Sequence, residues 1–278
     1  MDHYAVVGNP IKHSKSPLIH AAFAKQVGHE LLYKTIEAPL DRFEQTVERF
    51  FQMGLEGESV SGVGKGLNVT VPFKENAWRA CQKLSERARL AGAVNTLFLD
   101  QSGQLNGDNT DGIGLVTDLK NNGVALTGKK ILIIGAGGAV RGVLQPILKE
   151  KPEKVVIANR TVRKAEALEK IFSSFGSVEG LAFTDVQESF DVIINGTSAS
   201  LGGELPAVSP CVFSEGAVVY DMMYGKQDTI FNAWAKQHGV KMVFDGLGML
   251  VEQAAEAFYI WRGVRPQTKE VIELLRDA

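Results

Sequence analysis

Two hydrophobic rhythms alternate along this chain. Short apolar or alternating runs give way to stretches whose apolar positions recur every three or four residues, and then return. Tyr4–Val7 predicts a strand. Pro17–Val27 predicts a helix, with Ser16 as its N-cap and Pro17 at its first position. Leu31–Glu37 predicts a second strand. Leu40–Met53 predicts an amphipathic helix with Phe43, Val47, Phe50 and Phe51 on or near one face. Gly54 to Gly66 is rich in Gly and Ser and reads as a loop. Leu67–Val71 then predicts a strand stopped by Pro72. A helix around Glu75–Cys81, a helical turn around Glu86–Leu90 and a strand over Ala93–Leu99 follow. Asp100-Gln101-Ser102-Gly103 predicts a hairpin turn leading to Leu105.

A helix from Asp111 to Asn122 opens a second block. Strands are expected at Lys130–Ile134, Lys154–Ala158, near Gly180–Phe183, Asp191–Asn195, Val218–Asp221 and Met242–Phe244, with helical patterns between several of them. Such alternation implies a parallel sheet covered on both faces. Two further helices, Met249–Trp261 and Gln267–Asp277, are separated by Gly263 and Pro266. The length of 278 residues exceeds the usual size of a single core. The fold class is therefore α/β in two domains: an N-terminal α/β domain and a Rossmann-type parallel-sheet domain. Residues 1–110 with 248–278 are expected to form the first and 111–247 the second, with a ligand site in the cleft between them.

Composition narrows the function. A formal net charge of −2 suggests no nucleic-acid surface. Only two cysteines occur, Cys81 and Cys211, far apart; they make neither a disulfide framework nor a metal spacing, and read as small buried hydrophobes in a reducing cytosol. The five histidines do not cluster, so no metal is expected. The first residues lack a signal-peptide pattern, and no apolar run approaches a membrane span. The expectation is a cytoplasmic protein that acts on a small molecule, with no membrane partner.

Two groups of residues carry chemistry. Gly135-Ala136-Gly137-Gly138-Ala139 follows the strand Ile131–Ile134 and precedes a helical pattern, the context in which a helix N-terminus holds a pyrophosphate. The fingerprint is partial, since Val140 stands where a third glycine is usual; a tight turn without a ligand is the plain alternative. The next strand leads into Asn159-Arg160-Thr161, with Arg163 and Lys164 close behind. NAD sites place an acidic residue here for the ribose hydroxyl. An arginine instead favours the 2′-phosphate of NADP.

The other group is polar. Ser14 and Ser16 stand at the mouth of a helix, where two hydroxyls and the helix dipole would suit a carboxylate. Asn68 and Thr70 share a parity on their strand, and Asn95 interrupts an apolar run. These three either line a polar pocket or are core groups bonded to nearby backbone. Lys74 lies just beyond Pro72, and Asp111 sits where a helix begins. A lysine and a carboxylate in a polar pocket, joined to a phosphate loop, suggest redox chemistry on a small polar substrate.

These motifs resemble the NADP-dependent shikimate dehydrogenase family, in a match that begins at Tyr4-Ala5-Val6-Val7-Gly8-Asn9-Pro10-Ile11 and runs nearly the length of the chain. The resemblance implies reversible reduction of 3-dehydroshikimate to shikimate, on the route to chorismate and aromatic amino acids. It implies Lys74 and Asp111 as catalytic residues. It places the shikimate carboxylate on Ser14 and Ser16, and the ring hydroxyls on Asn68, Thr70, Asn95, Asp111, Tyr224 and Gln253. It assigns NADP to Gly135–Ala139, Asn159–Lys164, Met222 and Gly246, with Glu86 either a cofactor contact or a surface glutamate. A monomer or homodimer is expected. Rival readings are a quinate/shikimate dehydrogenase with relaxed use of NAD, and a non-catalytic sensor of NADP or a shikimate-like ligand. The loop Glu56–Lys65 is longer than the family pattern suggests; it could rim the substrate, and it adds a second lysine, Lys65, with no motif support.

Overall fold

A computed structural model describes residues 1–55, 62–197 and 204–277. The chain divides into two compact units, Met1–Asp111 with Val251–Ala278, and Gly112–Leu250. The expected rim at 56–61 lies outside the described residues.

In the first unit, β1 (Asp2–Gly8) pairs in parallel with β2 (Leu31–Glu37) and β3 (Gly64–Val69). β5 (Thr96–Leu99) pairs antiparallel with β3 and with β6 (Leu105–Asp108), and the short β4 (Lys83–Leu84) lies parallel to β6. The sheet order is β2-β1-β3-β5-β6-β4. Alternation along β1 sorts the core. Ala5 and Val7 join Leu67 and Val69 against Phe43, Val47 and Phe50 of α2 (Phe43–Met53) and Ala77 of α3 (Lys74–Ala80). Tyr4 and Val6 pack on the other face with Tyr33 and Trp261. α1 (Ser16–Val27) buries Ser16, Ile19, His20, Phe23 and Ala24, an i, i+3, i+4 face. α4 (Glu86–Ala91) is capped by Ser85, whose hydroxyl accepts from Ala88 N.

Three local expectations need correction. Ser16 is not the N-cap of α1: Lys15 holds that position without a side-chain bond, and Ser16 is the first helical residue, so Pro17 is second. The third strand begins at Gly64 and stops at Val69, so Thr70 lies past its end and Lys65 lies within it rather than in a loop. The glycines that read as loop are sites of close approach. A Cβ on Gly66 would lie 2.3 Å from the Trp261 ring, and one on Gly64 would lie 2.4 Å from the Phe50 carbonyl oxygen. Finally, β5 starts at Thr96, leaving Asn95 just before it.

In the second unit, α5 (Asp111–Asn121) leads to six parallel strands: β7 (Lys130–Ile134), β8 (Lys154–Ala158), β9 (Val178–Leu181), β10 (Phe190–Asn195), β11 (Phe213–Asp221) and β12 (Met242–Asp245). Their order is β12-β11-β10-β7-β8-β9. Chain direction through the sheet reverses between β7 and β10, the switch point beside which doubly wound folds bind ligands. Ile131, Leu132, Ile133 and Ile134 are all fully buried, which fits a strand covered on both faces. α6 (Gly138–Lys149), α7 (Val162–Phe172) and α8 (Ile230–Gln237) supply the cover through Val143, Leu144, Ile147, Ala165, Leu168, Phe231 and Ala235. α9 (Leu247–Arg262) begins in this unit, and its part from Val251 on, with α10 (Lys269–Arg276), belongs to the first. Among the described residues, no helix is long and apolar enough to cross a membrane.

Candidate active site

The polar residues of the first unit converge on one carboxylate. Lys74 opens α3, where the helix dipole is positive and a cation is poorly placed without an anion. Asp111 supplies it: Lys74 Nζ donates to Asp111 Oδ2 at 2.6 Å. The lysine side chain is 30% exposed and the aspartate 14%, so the ammonium keeps one open side. Asp111 Oδ1 accepts from Asn95 Nδ2 at 2.8 Å, and the Asp111 backbone N–H donates to Asn109 Oδ1 at 3.1 Å. The carboxylate is thus held from both oxygens and from its own backbone.

Asn95 is the hub. It is only 3% exposed. Its Oδ1 accepts from Thr110 N and from Thr96 Oγ1, each at 2.9 Å. Its Nδ2 also lies 2.9 Å from Thr110 Oγ1 and 3.3 Å from Gln253 Oε1. The Asn95 carbonyl oxygen accepts from Asn68 Nδ2 at 3.1 Å. Asn68 Nδ2 reaches Thr96 Oγ1 at 3.3 Å as well, while Asn68 Oδ1 accepts from the Tyr33 hydroxyl at 2.7 Å. Tyr33 stacks on His20, with centroids 4.1 Å apart and planes at 6°. Burial pushes the Tyr33 phenol well above its usual pKa, and a hydrogen bond from Ser16 opposes that rise. Burial also lowers His20 to about 3, and its Nε2 has no hydrogen-bond partner among the described residues. Ser14 Oγ accepts from Ser16 N at 3.3 Å. Six of the expected residues, Lys74, Asp111, Asn95, Gln253, Asn68 and Ser16, therefore belong to one connected polar network. Thr70 is half-buried; its backbone N–H donates to Val7 O at 2.9 Å.

Sequence reasoning missed several members: Tyr33, His20, Thr96, Asn109 and Thr110. His20 carried a signal, since it follows Ser16 by one helical turn on an otherwise apolar face. A cavity of about 480 Å³ lined by Val47, Phe51, Arg79, Ala80 and Leu105, among others, contains none of these polar residues and is not the site.

The second unit presents backbone and cations rather than a closed network. Gly135 has φ +108°, open to glycine alone, and its N–H donates to Ala158 O at 2.7 Å, tying the turn to β8. Gly137 caps α6 without a side chain. A Cβ on Gly137 or Gly138 would meet nothing within 4 Å, so packing does not demand these glycines. What they leave is room at a helix N-terminus, which fits a pyrophosphate. Ala136 is half-buried and Ala139 exposed on the same turn. One strand over, Asn159 Nδ2 donates to Thr161 O at 2.9 Å and fixes the loop after β8. Arg160, Arg163 and Lys164 are exposed, have no ion-pair partner among the described residues, and face no acidic residue in the first turn of α7. Three unpaired cations at a helix start fit a phosphate.

Met222 and Gly246 are neighbours: a Cβ on Gly246 would lie 2.1 Å from Met222 O. The segment after Gly246 is pinned by Asp118. A Cβ on Gly248 would collide with that carboxylate, and the Tyr220 hydroxyl donates to Asp118 Oδ2 at 2.7 Å. Tyr224, after β11, is exposed, its phenol raised by partial burial and then by Asp245. Glu86 is the first residue of α4, in the first unit. Among the described residues, no group of His, Cys, Asp and Glu could hold a metal ion.

Comparison with known proteins adds a family to this geometry. Residues 6–97 match the shikimate dehydrogenase substrate binding domain, 118–202 match shikimate / quinate 5-dehydrogenase, and 246–276 match the shikimate 5′-dehydrogenase C-terminal domain. A shikimate dehydrogenase (NADP(+)) from Hahella chejuensis is 59% identical over 100% of both chains. An Ael1 enzyme from Pseudomonas putida superposes with a TM-score of 0.91 at 45% identity, covering 99% of this chain and 98% of its own. A shikimate 5-dehydrogenase from Thermus thermophilus, solved with NADP(H) and shikimate, gives 0.85 at 30% identity, covering 100% and 99%.

Proposed function

The chain belongs to the shikimate dehydrogenase family, and on that premise we propose that it catalyses the reversible, NADP-dependent reduction of 3-dehydroshikimate to shikimate. The observation that carries this reading is the Lys74–Asp111 pair, a half-buried ammonium held at 2.6 Å by a doubly anchored carboxylate. Making an alcohol from a ketone requires a hydride at carbon and a proton at oxygen. Bound NADPH supplies the hydride. Lys74 gives the proton to the developing alkoxide and stabilises its charge. Asp111 orients the ammonium and accepts from a substrate hydroxyl.

Ser14 and Ser16 hold the substrate carboxylate. Asn68, Thr70, Asn95, Tyr224 and Gln253 complete the hydroxyl contacts. In the second unit, Gly135–Ala139 offer N–H groups to the pyrophosphate, and Asn159, Arg160, Thr161, Arg163 and Lys164 take the 2′-phosphate. Met222 and Gly246 border the cofactor, and Glu86 is assigned to it as well. The enzyme works as a monomer or homodimer in the cytoplasm.

The deciding experiment follows absorbance while shikimate and quinate are each oxidised with NADP and with NAD. Shikimate with NADP should give the highest kcat/KM. Equal rates with quinate, or no turnover with shikimate, would overturn the reading.

A further inference from the structure

Asn68 is hydrogen-bonded to saturation on its donor side. A primary amide has two N–H donors and two acceptor lone pairs. Both donors are engaged, to Asn95 O at 3.1 Å and Thr96 Oγ1 at 3.3 Å, and one lone pair takes the Tyr33 hydroxyl at 2.7 Å. One lone pair on Oδ1 remains. Asn68 can therefore meet a ligand only as an acceptor, and only while its amide keeps this orientation. The partner that distinguishes oxygen from nitrogen at that end of the amide is Tyr33: an O–H donor at 2.7 Å is compatible with Oδ1, whereas Nδ2 in its place would compete to donate.

We infer that Tyr33 is a positioning residue for substrate recognition, holding Asn68 with its oxygen toward a substrate hydroxyl; this rests on the functional reading above. The geometry suits the task. Tyr33 is buried and stacked flat on His20, so its hydroxyl has little freedom to swing. Its burial keeps the phenol protonated, hence a donor, throughout the physiological range. Ser16 hydrogen-bonds the same hydroxyl. One phenolic oxygen thus joins a residue assigned to the substrate carboxylate with a residue assigned to a ring hydroxyl. Without the Tyr33 proton, the Asn68 amide is held only through Nδ2, by Asn95 O and Thr96 Oγ1, and Oδ1 loses the donor that fixes its position beside a substrate hydroxyl.

Tyr33→Phe tests this, because the ring and its stacking on His20 survive while the donor is lost. KM for shikimate should rise about 5- to 30-fold, the scale of one buried hydrogen bond, with kcat and KM for NADP within about threefold of the parent. A general structural defect would move all three together. Asn68→Ala and the double variant complete a cycle, with thermal melting on each to establish that it folds. If Tyr33 acts through Asn68, adding Tyr33→Phe to Asn68→Ala should change KM by less than about twofold. Additive effects, or an unchanged KM in Tyr33→Phe, would overturn the inference while leaving the activity standing. A parent chain that neither binds shikimate by calorimetry nor oxidises it would overturn the functional reading and this inference with it.

Discussion

The two units prepare for their ligands in opposite ways. In the first, almost every polar atom near Lys74 is already bonded to another: Asp111 through both oxygens, Asn95 through both ends of its amide, Asn68 through Tyr33 and Thr96. In the second, a Cβ at Gly137 or Gly138 would meet nothing within 4 Å, and three cations have no ion-pair partner among the described residues. A small ring with one carboxylate and several hydroxyls has few handles, so recognition must come from donors and acceptors fixed in advance. A dinucleotide carries several negative charges, and unsatisfied N–H groups with mobile cations suffice to hold it. The closed network should therefore respond sharply to single-atom changes. The open surface should lose affinity in graded steps.

The largest expected effect lies in the closed network. Lys74→Ala should lower kcat by about 10²–10⁴-fold, the range for a positioned acid–base group, while substrate affinity changes much less. Asp111 would keep its Asn95 bond, so the site should persist without its proton donor. Steady-state kinetics checks this, and near-parental kcat would remove Lys74 from the chemistry.

The open surface gives the next effect. NADP should exceed NAD in kcat/KM by roughly 2–4 kcal/mol, one or two charge-assisted phosphate contacts. Arg160→Ala should lose most of that preference through KM for NADP, leaving KM for shikimate unmoved. Equal use of both cofactors by the parent would contradict the assignment of the cations after β8.

The closed network should also be sensitive to protons. His20 is neutral in the fold, with a pKa of about 3 set chiefly by burial, against 6.5 for the free side chain. Its folded value is depressed, so the unfolded chain binds the extra proton first. The penalty is absent above about pH 6.5 and grows as pH falls toward 3. Between pH 7 and 4.5 it amounts to about 2–3 kcal/mol. Urea unfolding at the two pH values should show that loss in the parent and a flatter profile in His20→Phe. Identical slopes in both proteins would assign the acid sensitivity to other groups.

Much of this molecule was legible in its residues. The second unit's first strands, β7 and β8, carry uninterrupted Ile and Val and were placed to the residue; such strands are buried on both faces and need no context. Some residues of the polar network could be named too, Asn68 and Asn95 among them, because an amide in an apolar run must find polar partners. What could not be read was pairing and approach. Gly64 and Gly66 looked like loop because a lone glycine signals a breaker, yet Phe50 and Trp261 press against them from distant parts of the chain. Ser16 looked like a cap because helix starts favour serine. Tertiary contact with Tyr33 draws it to the buried face instead, and Lys15 takes the cap position. Tyr33 was invisible as chemistry, since a tyrosine in a strand is ordinarily packing.

The smallest effect separates two lysines that sequence left as rivals. Lys65 lies inside β3, between two buried glycines, and is exposed. The register with β1 slips here, from His3 opposite Gly64 to Tyr4 opposite Gly66, so Lys65 is the extra residue of a bulge, whereas Asn68 lies in the regular part of the strand opposite Val6. Asn68 bonds Tyr33 on the face of Tyr4 and Val6; Leu67 and Val69 belong to the core around Phe43 and Phe50. Among the described residues the Lys65 ammonium bonds to no member of the polar network, and a general acid must come within hydrogen-bond reach of the reacting oxygen. Lys65→Ala should therefore leave kcat and both KM values within about threefold of the parent, the scale of an exposed substitution away from any site. A loss approaching that of Lys74→Ala would show that the network around Asp111 is not where the proton comes from.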